Sequence, residues 1–301
     1  MRDISDKPSS RRTARAQALL RLPPDCVEKT RAGTIDKGDP VEAARIAGML
    51  AIKRCWELLP HCHPLPLHGS ELHFETGEDS LRIEVQVTTI GPTGVEMEAL
   101  TGASIAALTL YDMLKPHAGL DLAIENIHLL EKTGGKSEHR RRLDPARPAV
   151  ICTVSTPIAR GRKGDDAADA LESLLTEAGF APIERRLVPA EFDTVQQALH
   201  EALATEPALL LTLGGTGLAP DDCTVAATAP LLDELLPGVM EAARAFGQQR
   251  SPLALISRGI AGRAGRSLVL TLPGSAAGMR ESWLAVAAGV VHAIGVLHRA
   301  K

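Results

Sequence analysis

The chain has 301 residues, of which 45% are hydrophobic and 23% charged, and its formal net charge is −4. This length exceeds the roughly 100 to 200 residues of a usual domain, so two domains are expected. Four Phe, two Trp and one Tyr offer little surface for base stacking. Together with the acidic balance, this scarcity argues against nucleic acid as a partner.

The cysteines and the apolar segments indicate the cellular compartment of the protein. Five cysteines without a C-x-x-C spacing favour neither a disulfide framework nor a structural zinc site, and they suit a reducing compartment. The first twelve residues lack the apolar stretch of a secretory signal. The apolar run 283–297 is interrupted by His292 and is shorter than the roughly 20 residues of a membrane span. We expect a cytoplasmic protein with a buried C-terminal helix and no membrane partner.

The first half, residues 1–140, is predicted to pack helices on an antiparallel sheet. Asp39 and Pro40 suit the cap and the first position of a helix that runs to about residue 59. Apolar residues alternate with polar ones over 72–74 and 81–87, which predicts a hairpin of two half-buried strands. A further strand is expected over 122–129. These elements indicate an α+β domain of the ferredoxin-like kind.

The helix predicted over residues 98–115 carries the most informative pattern. Thirteen residues without a charge, 99–111, precede Asp112 and Lys115. A helix that is apolar on all sides is usually buried, and residues three apart share one of its faces. We therefore expect Asp112 and Lys115 to point into one enclosed cavity as a proton acceptor and donor. The alternative is an ordinary ion pair at the surface.

The pattern changes in the second half, residues 148–301, after a charged linker at 137–148. Short apolar strands at 149–154, 184–188 and 208–213 alternate with helices at 165–178 and 194–204. Because parallel strands need crossover connections, this order predicts a mostly parallel sheet with helices on both faces, a three-layer α/β domain.

Two turns of the second half follow strands and lead towards helices. The first, Gly214-Gly215-Thr216-Gly217, brings backbone amides close to an anion, so it suits a phosphate group. Close packing is the alternative explanation for its glycines. The second turn, Pro273-Gly274-Ser275, would line the same edge of the sheet. Asp222 would either hold Mg²⁺ or cap the next helix.

Histidines and lysines form the remaining candidates in the first half. His61, Cys62 and His63 are adjacent, so their side chains point to different sides and rarely ligate one ion together; no metal site is predicted there. Structural roles and contact of His63 with substrate are the alternatives. Several lysines lie beside turns or apolar stretches, and ammonium groups that converge on one cavity would suit a polyphosphate. These lysines are Lys37, Lys53, Lys115, Lys132 and Lys136.

Three segments of the first half resemble cyclic pyranopterin monophosphate synthase of molybdenum cofactor biosynthesis: DKGDPVEAARIAGMLAIKRCWELLPHCHPL, TGVEMEALTGASIAALTLYDMLK and LLEKTGGKS. The resemblance implies conversion of a 3′,8-cyclised dihydro-GTP into the cyclic pyranopterin with release of pyrophosphate, without a cofactor. It places the catalytic pair on Asp112 and Lys115. The implied substrate contacts are Arg12 and Arg15 from a neighbouring protomer, Lys37, Lys53, His61, Cys62, His63, Glu96, Met97, Glu98, Lys132 and Lys136.

The second half is similar to the molybdopterin adenylyltransferase family through LGGTGLAPDDCTVAAT and LPGSAAGMRE. The resemblance implies ATP-dependent adenylation of molybdopterin with Mg²⁺, and it makes Asp222 catalytic. Pterin and nucleotide contacts would fall on the two glycine turns and on Ser155 and Asp165. The family's other catalytic aspartate falls on Ala190, and Glu191 or Asp165 would have to replace it. The alternative is a domain that only binds pterin or drives assembly. Both families form symmetric oligomers, which implies a homo-oligomer with three-fold symmetry.

Overall fold

The computed structural model describes residues 1–135 and 142–299. The chain divides into two compact units, Met1–His139 and Arg140–Lys301. Each unit has its own hydrophobic core and its own sheet. The predicted site residue Lys136 and residues 137–141 of the predicted linker lie outside the described residues.

The first unit consists of a four-stranded antiparallel sheet and helices, in the order β-α-β-β-α-β. The sheet order is β2-β3-β1-β4, and β1 pairs with both β3 and β4. The elements are β1 (Ser10–Arg21), α1 (Pro24–Ala32), α2 (Pro40–Lys53), α3 (Cys55–Leu58), β2 (Leu67–Thr76), β3 (Ser80–Gly91), α4 (Glu96–Ala118) and β4 (Ala123–Thr133).

Alternation along the central strands builds the core of this unit. Every second side chain is buried along β3 and, from Ala14 onwards, along β1, so each strand gives one face to the helices. The helices α2 and α4 approach closely because Gly48 and Gly102 lie at their contact. A Cβ added to Gly102 would lie 2.6 Å from the side chain of Ile52. This close packing fixes α4, the helix that carries Asp112.

Several predictions for the first unit are confirmed and others are wrong. The β2–β3 hairpin is present, and Asp39 caps α2 by accepting hydrogen bonds from the amides of Val41 and Glu42. The helix predicted to reach residue 59 is broken at Arg54 into α2 and α3. The strand β1 and the helix α1 were not predicted. Small residues such as Ala14, Ala16 and Ala18 fill the inward positions of β1, so its apolar alternation is weak in the sequence.

The second unit has a six-stranded sheet in the order β6-β5-β7-β10-β9-β8, in which the first four strands are parallel. The short β9 and β8 are antiparallel additions at one edge. The elements are β5 (Arg147–Val154), α5 (Thr156–Ala159), α6 (Asp166–Ala178), β6 (Phe180–Val188), α7 (Phe192–Leu203), β7 (Leu209–Leu213), α8 (Thr224–Thr228), β8 (Glu234–Leu235), α9 (Pro237–Gln248), β9 (Ala261–Ala264), β10 (Ser267–Leu272) and α10 (Ala276–Leu297).

Helices cover both faces of this sheet, which confirms the three-layer prediction. One core packs α6, α9 and α10 against the sheet through residues such as Leu171, Met240 and Trp283. A second core packs α7 and α8 on the other face through Leu199 and Ala227. The helix α9 and the strands β8 and β9 were not predicted.

The ends of the second unit differ in part from the predictions. The strand β5 begins at Arg147, inside the predicted linker, and Leu143 is already buried in the core. Among the described residues, α10 alone is long and apolar enough to cross a membrane, a test that a core helix also passes. One face of α10 enters the core through Met279, Trp283 and Ile294. The prediction of a core helix at the C-terminal end of the chain therefore fits its packing.

Candidate functional site

Asp112 lies between two ammonium groups. Its Oδ1 accepts a hydrogen bond from Lys115 Nζ at 2.8 Å, and its Oδ2 lies 3.4 Å from Lys37 Nζ. Lys37 also donates to the backbone carbonyl of Asp112 at 3.0 Å. Lys115 is one turn away on α4, whereas Lys37 comes from the loop before α2. Two lysines, one a helical turn away and the other 75 residues earlier in the chain, thus meet at one carboxylate.

The predicted enclosure of this cluster is wrong for the single chain. The side chains of Asp112 and Lys115 are 59% and 54% exposed. The helix α4 buries its small residues, but it presents an outer stripe on which Leu108 precedes Asp112 and Lys115 at helical spacing. The run of uncharged residues therefore does not mean that all sides of this helix are buried.

The three charges reinforce one another. Hydrogen bonds from Lys115 and then Lys37 lower the pKa of Asp112 below its ordinary value of 3.8. The hydrogen bond to Asp112 raises the pKa of Lys115 above 10.5. At neutral pH the cluster therefore contains a carboxylate that can accept a proton and an ammonium group that can donate one.

A second cluster lies around the first turn of α4. Lys132 Nζ of β4 lies 3.4 Å from Glu96 Oε1, and Arg12 Nε of β1 donates to the carbonyl of Gly91 at 3.0 Å. These three side chains line a cavity of about 310 Å³. Burial lowers the pKa of Arg12, and the charge of Glu96 opposes this effect. A cavity with an Arg and a Lys offers charge-assisted hydrogen bonds to an anion.

Glycine lets the chain close this cavity. Gly134 and Gly135 follow β4 with φ angles of +84° and +81°. A side chain at either residue would collide with β1, with the backbone of Arg11 or with the guanidinium of Arg12. These residues belong to the sequence segment that predicted a substrate contact at Lys132.

Cys62 and Glu98 belong to a third, half-buried cluster that also contains Cys55. The Cys55 and Cys62 Sγ atoms and a carboxylate oxygen of Glu98 all lie within 4.8 Å of one another. Burial raises the pKa of Glu98 and raises that of Cys55 to about 12. Cys55 was not singled out from the sequence, and its spacing from Cys62 carries no recognised motif.

The remaining predicted contacts of the first unit are dispersed. His61 is exposed and His63 is half-buried on either side of Cys62, and Met97 is exposed on the first turn of α4. Lys53 is the exposed last residue of α2. Arg15 Nη2 lies 3.8 Å from Glu131 Oε2 across the β1–β4 pair.

The helices α2 and α4 run in opposite directions, so residues before α2 lie near the end of α4 and residues after α2 lie near its start. Lys37, before the start of α2, meets Asp112, whereas Cys55, just after the end of α2, lies 3.5 Å from Thr101 Oγ1. Lys53 therefore belongs to the Glu98 end of α4. The predicted residues of one chain form two groups at opposite ends of this helix.

In the second unit, the two predicted turns meet at one edge of the sheet. The parallel strands β5, β6, β7 and β10 all end there, so the residues that follow them are neighbours. The Cα of Gly214 would lie 3.0 Å from a Cβ placed on Gly274. Gly214 and Gly215 have φ angles of +95° and +64°, which favour glycine.

Asp222 stabilises the loop before α8. Its Oδ2 accepts a hydrogen bond from the amide of Ala219 at 2.8 Å. Asp222 does not cap α8: the residue at the cap position is Cys223, and its side chain accepts no hydrogen bond from the helix. Arg258 donates to the carbonyls of Gly217 and Asp222 and so ties this loop down. Arg258 was not predicted, because it lies outside both glycine turns and no motif marks it.

Ser155 and Asp165 have different surroundings. Ser155 follows β5 at the same sheet edge, and its amide donates to the carbonyl of Val188 at 3.0 Å. Asp165 caps α6 by accepting from the amide of Ala168 at 3.2 Å, and its Oδ2 lies 3.5 Å from Arg185. Its carboxylate is thus already paired. Glu191, at the start of α7, is exposed, and its Oε2 accepts a hydrogen bond from Thr194 Oγ1 at 3.5 Å.

A cavity of about 400 Å³ lies beside the two glycine turns. Thr216, Gly217, Pro273 and Ser275 line it. Its other walls contain polar residues that were not predicted, Arg244, Glu281 and Ser282, which come from α9 and α10. The periodicity of apolar residues identifies the core-facing side of a helix, but it does not show which of its polar residues line a cavity.

Comparison with known proteins agrees with this division. Residues 1–135 match the MoaC family, and residues 150–293 match a family described as a probable molybdopterin binding domain. A molybdenum cofactor biosynthesis bifunctional protein from Synechococcus elongatus is 36% identical over 99% of this chain and 97% of its own length. The chain belongs to this bifunctional family.

Two further relatives agree with the membership. A bifunctional protein of the same description from Chlorobaculum tepidum is 35% identical over 99% of this chain and 94% of its own length. A cyclic pyranopterin monophosphate synthase from Desulfatibacillum aliphaticivorans is 50% identical over 46% of this chain and 87% of its own length. The resemblances drawn from the sequence motifs are thereby confirmed for both halves.

Proposed function

We propose that the first unit of this chain converts the 3′,8-cyclised dihydro-GTP into cyclic pyranopterin monophosphate and pyrophosphate. The second unit adenylates molybdopterin with ATP. The observation that carries the first assignment is the Lys37–Asp112–Lys115 cluster, in a chain whose first half belongs to the MoaC family.

The charges of this cluster suit the chemistry. Asp112 is ionised and accepts a proton from the substrate, while Lys115, held 2.8 Å away, returns a proton during ring rearrangement. Lys37 keeps Asp112 oriented and adds positive charge. The cavity lined by Arg12 and Lys132 binds the triphosphate and stabilises the charge of the leaving pyrophosphate.

The complete site of the first unit is assembled from two chains. The cluster proposed to act on the ring and the cavity proposed to hold the triphosphate lie at opposite ends of α4, roughly 20 Å apart along its axis. Exposure of Asp112 and Lys115 in the single chain supports this proposal, since a neighbouring chain would cover them. A homo-oligomer with three-fold symmetry, built from symmetric contacts, provides such pairs.

For the second unit, the glycine turns at the edge of the parallel sheet support nucleotide binding. Mg²⁺ is usually held by one or two carboxylates together with substrate phosphates, so Asp222 with ATP meets the minimal requirement. Bound Mg²⁺ would neutralise charge on the phosphates. Arg258 would keep the Asp222 loop in place.

A second candidate function for this unit is binding of pterin, or assembly, without catalysis. The observation that favours it is Ala190, a residue without a carboxylate where the adenylyltransferase family has an aspartate. The paired state of Asp165 adds to it, because that carboxylate already holds Arg185 and caps α6.

The remaining assignments concern the fold and the compartment. The β-α-β-β-α-β order and the sheet order β2-β3-β1-β4 support a ferredoxin-like first unit. All five cysteines are free thiols, which suits a cytoplasmic protein.

The experiment supplies the purified full chain with the cyclised dihydro-GTP and measures cyclic pyranopterin and pyrophosphate. In a parallel reaction, molybdopterin, ATP and Mg²⁺ are supplied and adenylated molybdopterin is measured. Formation of both products supports the two-enzyme function. Absence of the second product supports the binding module, and absence of the first overturns the assignment of the first unit.

A further inference from the structure

The structure assigns a metal-binding site to the first unit: we propose that Cys55, Cys62 and Glu98 bind a divalent cation of the zinc class. The three side chains come from separate elements. Cys55 begins α3, Cys62 lies in the loop after it, and Glu98 is on the first turn of α4. Their ligand atoms nevertheless all lie within 4.8 Å of one another.

The spacing of these atoms is close to what zinc requires. With Zn–S bonds of about 2.3 Å and Zn–O bonds of about 2.1 Å, tetrahedral ligand atoms lie roughly 3.5 to 3.8 Å apart. The present atoms all lie within 4.8 Å of one another, so each pair would have to close by at most about 1.3 Å (4.8 minus 3.5 Å) to reach those distances. Two sulfur ligands select zinc over Mg²⁺ or Ca²⁺, which prefer oxygen.

The surroundings suit an ion. Cys55 and Glu98 are buried, which fixes them, whereas Cys62 is partly exposed and gives access from solvent. Thr101 Oγ1 lies 3.5 Å from Cys55 Sγ and orients it. Three protein ligands leave a fourth position for water. Because Cys62 and Glu98 are also proposed to contact substrate, a bound ion would exclude it; this consequence alone rests on the proposed function.

The test uses the reduced, metal-free full chain. Zn²⁺ is titrated against a chromophoric chelator, and Co²⁺ is added separately to follow thiolate-to-cobalt charge-transfer absorption. We expect one tightly bound ion per chain and a charge-transfer band. Cys55→Ser and Cys62→Ser should each weaken binding about 100-fold or more and diminish the band. Cys223→Ser, which removes a thiol from the other unit, should leave both unchanged.

A measurement on the wild-type chain guards against misfolded variants. Zn²⁺ should protect Cys62 from alkylation, mapped by mass spectrometry, and should leave the labelling of Cys223 unchanged. The absence of a cobalt charge-transfer band in the wild-type chain would overturn the proposal. So would tight Zn²⁺ binding by the Cys55→Ser, Cys62→Ser double variant, because the ion would then be held elsewhere.

Discussion

Glu98 and Asp112 lie on one continuous helix, about four turns and roughly 20 Å apart along its axis. Glu98 is buried at the first turn, and Asp112 is exposed near the other end. The two residues mark the two groups of predicted substrate contacts. A single chain therefore holds the two groups at opposite ends of one helix, and this separation is the reason for proposing that two chains form the complete site.

Replacing the central carboxylate should abolish the chemistry of the first unit without unfolding it. In Asp112→Asn the side chain keeps its size but can no longer accept the proton, so turnover should fall about 100-fold or more. The residue is exposed, so the thermal unfolding temperature should barely change. Product formation and the unfolding temperature are measured side by side. Asp121→Asn, an exposed carboxylate just beyond α4, is the control and should keep full turnover.

The lowered pKa of Asp112 gives a prediction that is independent of turnover. Lys115 and Lys37 favour the carboxylate, so Asp112 keeps its charge to lower pH in the folded chain than in the unfolded chain. These exposed ion pairs therefore make a small, solvent-screened contribution to stability at neutral pH, and this contribution is lost as the pH falls through the folded pKa of Asp112. In Lys37→Ala one of these interactions disappears, and the pKa of Asp112 should rise.

Carboxyl-carbon NMR titration of Asp112 measures this shift. Lys29→Ala removes an exposed lysine that pairs with Asp25 instead, and it should leave the titration of Asp112 unchanged. An unaltered titration in Lys37→Ala would show that Lys37 does not contact the carboxylate in solution.

The glycine turn of the second unit should be more sensitive than an ordinary turn. Gly215 has φ +64°, and a Cβ there would collide with the side chain of Thr224. Gly265 has φ +57° but open space around it. Gly265→Ala should therefore cost about 1 kcal/mol from backbone strain alone, whereas Gly215→Ala should cost about 3 kcal/mol.

In a Trp56→Phe background, where buried Trp283 is the remaining tryptophan, denaturant unfolding followed by tryptophan fluorescence reports on the second unit. Equal losses of stability in the two variants would mean that the turn yields easily to the added methyl group.

The adenylation activity should respond to the carboxylate that is missing at residue 190. If the second unit is an enzyme, Ala190→Asp adds a ligand for Mg²⁺ at the end of β6 and should raise the rate about 10-fold. Ala204→Asp adds the same charge at the opposite end of α7, and it should leave the rate of adenylation unchanged. The rate of pyrophosphate release is measured at low Mg²⁺. A second unit that releases no pyrophosphate in any variant is a binding module.

The sequence predicts the layers of this fold better than it predicts the position of its site. The alternation of apolar and polar residues predicts the β2–β3 hairpin, and the alternation of short strands with helices predicts the parallel sheet. Both patterns are visible in short stretches of sequence. The strand β1 was missed, since alanine fills its inward positions and weakens the pattern.

The family resemblance assigned Asp112, Lys115 and Lys37 to one site, and the structure brings these three residues together. The predicted enclosure failed because a run without charges does not specify which side of a helix meets solvent. Cys55 was missed for a different reason. Its proximity to Glu98 depends on how α3 packs on α4, a tertiary contact with no signature in the local sequence.

The central claim, a site shared between chains, is tested most directly by mixing inactive variants. Asp112→Asn lacks the proton-transfer group, and Lys132→Ala lacks part of the anion-binding cavity, so each alone should be inactive. After co-expression at equal levels, with separate tags that verify the presence of both variants, random pairing of the chains restores about one quarter of the wild-type sites.

The matched control mixes Asp112→Asn with Lys115→Ala. These residues contact each other within one chain, so no intact pair can form by exchange. We predict product formation at about one quarter of the wild-type rate in the first mixture and none in the second. Failure of the first mixture to exceed its separate components would place both groups in one chain and contradict the account.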